Sequence, residues 1–440
     1  MVPISPQELE QAIKEKGIQD IETATIRQIV SLSKSLEEIS GETYIHLELG
    51  NPGLMAEEIG IEAECMALKS GVANCYPDIS GIPKLKKSAS QFIKAYLDLN
   101  IPPECVVPTV GSMQASYTLM TILKQRIPEK KSILIFSPGF PAQRHQAKMI
   151  GLDVVQFDIY DYRGEKLKDK LEELLGKGDF SAMIYSNPNN PSWTNFTEEE
   201  LKIIGEAATK YDVIILEDLA YMGMDFRQDC SVPFVPPFIP SVGKYTDNYI
   251  LMISASKIFS YAGQRIAVVA MSPEVFYRKY PVLDKFYEMP NFGECYIYGV
   301  LYTASSGVSH SAQHAFAEML SKATTGELPF IAHTREYGHR ASKMKESFKS
   351  NGFYLVYDKD GDNEISDGFF FTVGYPGMSG VNLQKELLRY GVSSISLPCT
   401  GSTKDGIRVC VSLMKENDSF KLLNERLKKF HNDQIRKSNS

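Results

Sequence analysis

At 440 residues the chain is long enough for two domains, and a composition of 43% hydrophobic and 23% charged residues is that of a globular protein. Against 47 lysines and arginines stand 54 aspartates and glutamates, a net charge of −7 that offers nothing to a nucleic acid or an anionic membrane surface. No apolar run approaches the roughly 20 residues of a membrane span, and residues 1–10 lack the charged start and apolar core of a secretory signal. Seven dispersed cysteines without a C-x-x-C pair, and histidines without ligand spacing, point to reduced thiols, a cytoplasmic setting and no metal centre.

The first forty residues read as helical. Ser5-Pro6-Gln7-Glu8 is a capping box with proline at the first helical position, and a second helical stretch runs from Ile21 to Ile39 and stops at Gly41. Tyr44 to Leu49 alternates like a strand and enters the turn cluster Gly50-Asn51-Pro52-Gly53. From about residue 105, short Val/Ile-rich runs recur: Cys105–Val110, Ser132–Phe136, Asp153–Phe157, Ala182–Ser186, Val213–Glu217, Tyr249–Ser254 and Arg265–Met271. They lack polar alternation, as strands covered on both faces do. Helical stretches lie between most of them, at Gln114–Lys124, Ala142–Ile150, Lys166–Leu175 and Thr197–Lys210. This rhythm predicts an α/β fold with a largely parallel seven-stranded sheet, and ligands of such sheets bind at the carboxyl ends of the strands. Cys230–Thr246, with four prolines, reads as a long loop.

After about residue 310 helices at Ala312–Ala323 and His333–Ser350 precede the strand-like Phe369–Val373, a helix near Leu383–Arg389, the strand-like Ile407–Ser412 and a closing amphipathic helix to Phe430. This part reads as a smaller α+β domain. The expected division is a large domain over 50–310 and a small one from 1–49 and 311–440. Asp358–Glu364 resembles a calcium loop, but its glycine stands at the fourth position rather than the sixth, so an exposed turn is expected.

The chemistry-bearing residues fall at strand ends. Tyr249–Ile253 runs into Ser254-Ala255-Ser256-Lys257, and Arg265 follows eight residues later. Small hydroxyls, a lysine and an arginine in one place can hold a phosphate and offer an amine, as a pyridoxal phosphate (PLP) enzyme requires. Gly111-Ser112-Met113-Gln114 opens a helix after a strand, either as an anion site or with a plain capping serine. Phe140, in Ser137-Pro138-Gly139-Phe140-Pro141, either stacks on a flat ring or fills the core. Asn187-Pro188-Asn189-Asn190-Pro191 is a rigid turn that can aim an amide donor. Asp218 closes an apolar strand, where burial is costly without a cation or a capping role. A pyridinium at ~4 Å with an effective dielectric of about 20 would supply on the order of 4 kcal/mol, about three pK units. Tyr221 stands three residues on. Arg408, alone in an apolar strand, either forks onto a substrate carboxylate or forms a structural ion pair.

In this order the motifs resemble the class I/II aminotransferases, PLP enzymes of the aspartate aminotransferase fold type I, from about Gly50 to Arg408. Asn187–Pro191 matches the family's Asn-Pro-x-Asn-Pro, Asp218–Tyr221 its Asp-x-Ala-Tyr, and Ser254–Lys257 with Gly263–Arg265 its Ser-x-Ser-Lys and Gly-x-Arg. The resemblance implies that Lys257 forms the Schiff base and shuttles the proton, that Asp218 pairs with the pyridine nitrogen, that Tyr221 and Asn190 hold the phenolate oxygen, and that Phe140 stacks on the ring. It implies a phosphate site of Ser112, Ser254, Ser256 and Arg265 with backbone help from Gly111 and Met113, and a carboxylate site of Arg408 with Gly50 and Asn190. Tyr76 looks like the tyrosine that reaches the phosphate of a neighbouring subunit, which implies a homodimer. Ser192-Trp193 stands where the family continues Thr-Gly, placing the only tryptophan beside the site. The expected activity is amino transfer between an amino acid and a 2-oxo acid. A C–S β-lyase on the same fold and a non-catalytic PLP-binding regulator are the alternatives.

Overall fold

The computed structural model describes residues 2–289, 291–415 and 417–438. The chain divides into two compact units. One comprises 1–53, 189–194 and 335–440, the other 54–188 and 195–334.

Strand β1 (Ile45–His46) belongs to the first unit. The second is built on a sheet of seven strands: β2 (Val106–Thr109), β3 (Ser132–Ser137), β4 (Asp153–Asp158), β5 (Phe180–Ser186), β6 (Ile214–Asp218), β7 (Tyr249–Ser254) and β8 (Ala267–Met271). Their order is β2-β8-β7-β6-β5-β3-β4. All pairs are parallel except those made by β8, which runs against both β2 and β7. Every expected strand is present within a residue or two. Six are buried throughout; the edge strand β4 opens with exposed or half-exposed residues, in keeping with Asp153 and Gln156 in its sequence. Helices Gly111–Arg126, Pro141–Ile150, Glu165–Leu175 and Glu198–Lys210 cover the sheet, the last opened by the reciprocal Thr197/Glu200 capping box.

One expectation shifts here. Helix His310–Thr324 groups with the sheet-bearing unit and not with the C-terminal part, because Ala312, Phe316, Met319 and Leu320 are buried against helices Glu58–Lys69 and Pro83–Leu97, and Phe316 meets Phe259 edge-on. The division falls after Thr334. The proline-rich loop is tied down: Phe234 and Ile239 donate their N–H groups to the carbonyls of Ala95 and Tyr96, and Ser241 Oγ donates to Glu217 Oε2 at 2.5 Å.

In the first unit, helix Pro6–Glu15 starts at the expected Ser5/Glu8 capping box. The second helix begins later than expected, at Ile26, because Thr25 and Gln28 form a capping box of their own and 21–23 are in a turn. Leu9, Ile13, Ile29, Leu32 and Leu36 bury one core with Leu388 and Ile395. Helix Phe330–Ser350 crosses the division and leads to β9 (Tyr354–Leu355). The calcium-like segment is a tight hairpin of β10 (Lys359–Asp360) and β11 (Asn363–Glu364), with Gly361 at φ +64°. Then come β12 (Phe370–Gly374), helix Gly380–Arg389, β13 (Val392–Ser393), β14 (Ile395–Ser396), β15 (Ile407–Cys410) and helix Asn417–Ser438. The antiparallel sheet runs β14-β15-β12-β9, and β1 pairs in parallel with β13. No helix among the described residues is long and apolar enough to cross a membrane.

Candidate active site

Strand register sets the geometry of the site. Ala267 at the start of β8 stands opposite Thr109, the last residue of β2, and opposite Ser254, the last of β7. Asp218 ends β6 beside β7, level with Met252, and Ser186 ends β5 level with Asp218. The antiparallel β8 therefore brings its beginning to the edge where its neighbours end. Gly111, Arg265, Lys257, Asp218 and Tyr221, up to 154 positions apart in number, all follow or precede that one edge.

At this edge Gly111 adopts φ +67°, and a Cβ on it would lie 2.6 Å from Arg265 Nη2. The left-handed backbone favours glycine here, and the guanidinium lies close over the start of helix Gly111–Arg126. Arg265 is itself left-handed, at φ +51°, and anchors Nη1 on the Ala262 carbonyl at 2.9 Å. Ser112 Oγ is buried and has no hydrogen-bond partner among the described residues. A buried hydroxyl without a partner is costly, and here it stands with a guanidinium and helix-start N–H groups, donors that suit a polyanion. Ser254 caps the short helix Ala255–Ile258 by accepting from Ser256 N at 3.2 Å, and Lys257 is the third residue of that helix. Met113 contributes its carbonyl to Gln146 Nε2 (2.8 Å), while its side chain is exposed.

Asp218 is 8% exposed, and its carboxylate accepts from Ala220 N and Gln143 Nε2, both at 3.2 Å. Burial pushes its pKa up to about 6. It has one local backbone bond and no ion pair among the described residues, so burial leaves it without a counter-charge there. An acid in this state favours a cation brought to it. Gln143 was not anticipated; only its place in the first turn of helix Pro141–Ile150, three residues after Phe140, hints at it. Phe140 is half-buried at the cap of that helix, so it is not a sealed core residue, and Tyr221 is buried. Next to Asp218, Glu217 is held by Ser241, Val242 N and Tyr185, and burial raises its pKa to about 7. Tyr76 lies 92% exposed on the surface of this unit.

The other unit carries Arg408, fully buried in β15 and paired in register with Thr372 of β12. Its Nη2 donates to the Glu48 carbonyl at 2.6 Å and its Nη1 to Asn190 Oδ1 at 3.3 Å. The guanidinium carbon lies 4.6 Å from the ring centre of Phe370, and Nε is buried without a hydrogen bond among the described residues. No carboxylate faces it among the described residues, so the structural ion pair is not what keeps it there. The turn divides its labour. Asn189 Oδ1 accepts from Ser192 N and Ser192 Oγ, closing the turn on itself, while Asn190 reaches Arg408. In the sheet-bearing unit Asn187 Oδ1 accepts from Phe196 N. A Cβ on Gly50 would lie 3.7 Å from Phe370 Cζ. Glu48 and Phe370 were not anticipated, because a backbone carbonyl and a buried phenylalanine leave no mark in the sequence.

A sheet of this order with an amine, a polyanion cradle and a buried acid along one edge defines an α/β protein of the aspartate aminotransferase fold. The Thermus thermophilus aspartate aminotransferase double mutant 1 has the same fold, with a TM-score of 0.75 over 94% of this chain and 98% of that one, at 18% identity. The chain belongs to the family of class I and II aminotransferases, whose profile matches residues 44–425; this is a family of PLP-dependent enzymes. Nicotianamine aminotransferase 1 of Oryza sativa subsp. japonica is 28% identical over 209 residues, 47% of this chain and 41% of that protein. Aspartate aminotransferase of Bacillus subtilis (strain 168) is 23% identical over 269 residues, 59% of this chain and 64% of that protein. The chain thus matches about half of the length of these relatives.

Proposed function

We propose that this protein is a PLP-dependent aminotransferase that moves an amino group between an amino acid and a 2-oxo acid. The observation that carries the reading is the row of groups along one sheet edge. Among the described residues, a hydroxyl with no hydrogen-bond partner and a guanidinium over a glycine stand at one end of it, and a buried acid with no cation stands further along. Phosphate and pyridinium are the two charges that row lacks. Bound PLP supplies an aromatic electron sink for negative charge developing at the substrate Cα.

The remaining roles belong to the chain. Ser112, Ser254, Ser256 and Arg265 hold the phosphate, with the N–H groups of Gly111 and Met113. Asp218, aimed by Gln143, would keep the ring nitrogen protonated, Tyr221 and Asn190 would hold the phenolate oxygen, and Phe140 would support the ring. Lys257 would hold the cofactor aldehyde through its amine, and its Nζ would hold and move the proton at the substrate Cα. Arg408 takes the α-carboxylate, with Asn190 and Gly50 beside it. The sheet-bearing unit is thus the cofactor domain and the other the carboxylate-binding domain. Tyr76 serves the neighbouring subunit of a homodimer. Replacement of Lys257 by Ala is expected to abolish keto-acid formation while PLP still binds noncovalently, seen as a loss of the protein-linked absorbance with retention on equilibrium dialysis. Turnover at the wild-type rate in that variant would defeat the reading.

A further inference from the structure

Trp193 occupies a conformation that tryptophan rarely adopts. Its φ is +65°, a left-handed backbone that favours glycine. Placing a bulky residue there costs on the order of 1–3 kcal/mol, which persists only where the surroundings enforce it. Here they do: Trp193 N donates to the Asn189 carbonyl and Asn189 N to the Thr194 carbonyl, each at 3.0 Å. The indole is fully buried. It lies on Gly368, where a Cβ would come within 2.1 Å of Cε2, so no larger residue is compatible with the ring. Its edge meets Phe370 with centroids 6.2 Å apart at 66°. Phe370 in turn carries the Arg408 guanidinium on its face.

Segment 189–194 therefore bears on Arg408 twice. Asn190 touches it by a hydrogen bond, and three residues later Trp193 supports the ring on which it lies. We infer that Trp193, seated on Gly368, is a positioning residue that sets the attitude of Phe370 and thereby the plane in which Arg408 presents its fork to a carboxylate. The inference rests on the reading of Arg408 as the carboxylate-binding residue. A planar guanidinium makes two parallel hydrogen bonds only in one plane, so a tilt of the supporting ring weakens binding without touching the cofactor. A tryptophan that merely filled the core would affect stability alone.

The test uses the PLP-loaded full chain and the variants Trp193→Gly, Trp193→Phe and Gly368→Ala, with Arg408→Lys as reference. Trp193→Gly relaxes the backbone and removes the support; Gly368→Ala dislodges the indole by a different lesion. Both are expected to raise KM for the amino acid about tenfold, with kcat changed far less, the pattern of lost carboxylate binding. The dissociation constant of 3-phenylpropionate, measured by calorimetry, should rise in parallel, while the cofactor absorbance and its retention stay as in the wild type. Trp193→Phe should recover most of the affinity. Folded Trp193→Gly or Gly368→Ala protein that binds 3-phenylpropionate as wild type does would overturn the inference, whatever its melting temperature. Arg408→Lys keeps the two failures apart. If it weakens binding and the other variants do not, only the role of Trp193 falls; if it too binds normally, the carboxylate reading falls with it.

Discussion

Asp218 shows how a single side chain can carry a pH signature. Its folded pKa of about 6 lies above the ordinary 3.8, because burial penalises the charged form more than Ala220 N and Gln143 relieve it. A raised carboxyl pKa contributes stability that is fully present below the unfolded value and is lost as pH rises through the folded one. For Asp218 the loss falls between about pH 4 and pH 6, and a shift of this size corresponds to on the order of 3 kcal/mol. PLP-free protein should therefore lose stability over that window in urea titrations, and Asp218→Asn should flatten that part of the profile. A cation beside the carboxylate acts in the opposite sense, so added PLP should also flatten it in the wild type but not in Asp218→Asn. The same dependence with and without Asp218 would remove the buried uncompensated acid from the account. Lys257, Asp218 and Arg408 were legible because a charge at the end of, or inside, an apolar run is conspicuous. Gln143 and Phe370 were not, since an amide on a helix and a phenylalanine in a strand are ordinary until their neighbours are known.

At the scale of elements, the loop 230–246 proved to be part of the scaffold behind the sheet edge where β6 ends. Ser241 Oγ and Val242 N converge on Glu217, the residue before Asp218, and the loop backbone is bonded to the end of helix Pro83–Leu97. Replacing Ser241 by Ala leaves the buried Glu217 with one donor fewer, which should destabilise the protein by about 2 kcal/mol. Glu217, already pushed up to about 7, would move further up. Urea denaturation and hydrogen exchange check this: exchange should speed up in 230–246 and around Glu217 and stay unchanged in helices Pro6–Glu15 and Ile26–Ser40. Uniform acceleration across both units would contradict a local anchor. The regular elements were read from sequence to within a few residues, because continuous Val/Ile runs and capping boxes are local signals. The start of the second helix was misjudged where two local signals competed, an apolar Ile21 against the Thr25/Gln28 box.

For the molecule as a whole, Tyr76 stands 92% exposed, with Met66 and Leu68 also exposed nearby in sequence, an arrangement a single chain has little reason to keep. Sedimentation equilibrium should give twice the 49.3 kDa chain mass. Tyr76→Ala should lower PLP retention. Co-expressed Tyr76→Ala and Lys257→Ala chains, isolated as a mixed dimer, should recover one intact site and measurable turnover. A mixed dimer as inactive as the Lys257→Ala parent would refute sharing, and a monomer would refute the dimer itself.

The strands, most helices and the positions of the charged groups were determined by the sequence itself, because backbone propensity, apolar runs and helix caps act over a few residues. Only the tertiary structure decided which of these positions meet. The antiparallel insertion of β8 brings Arg265 over Gly111, burial strips Asp218 of a counter-ion among the described residues, and the left-handed turn at Trp193 passes through Phe370 to Arg408. Those outcomes depend on register and packing between residues far apart in the chain, which no local pattern encodes.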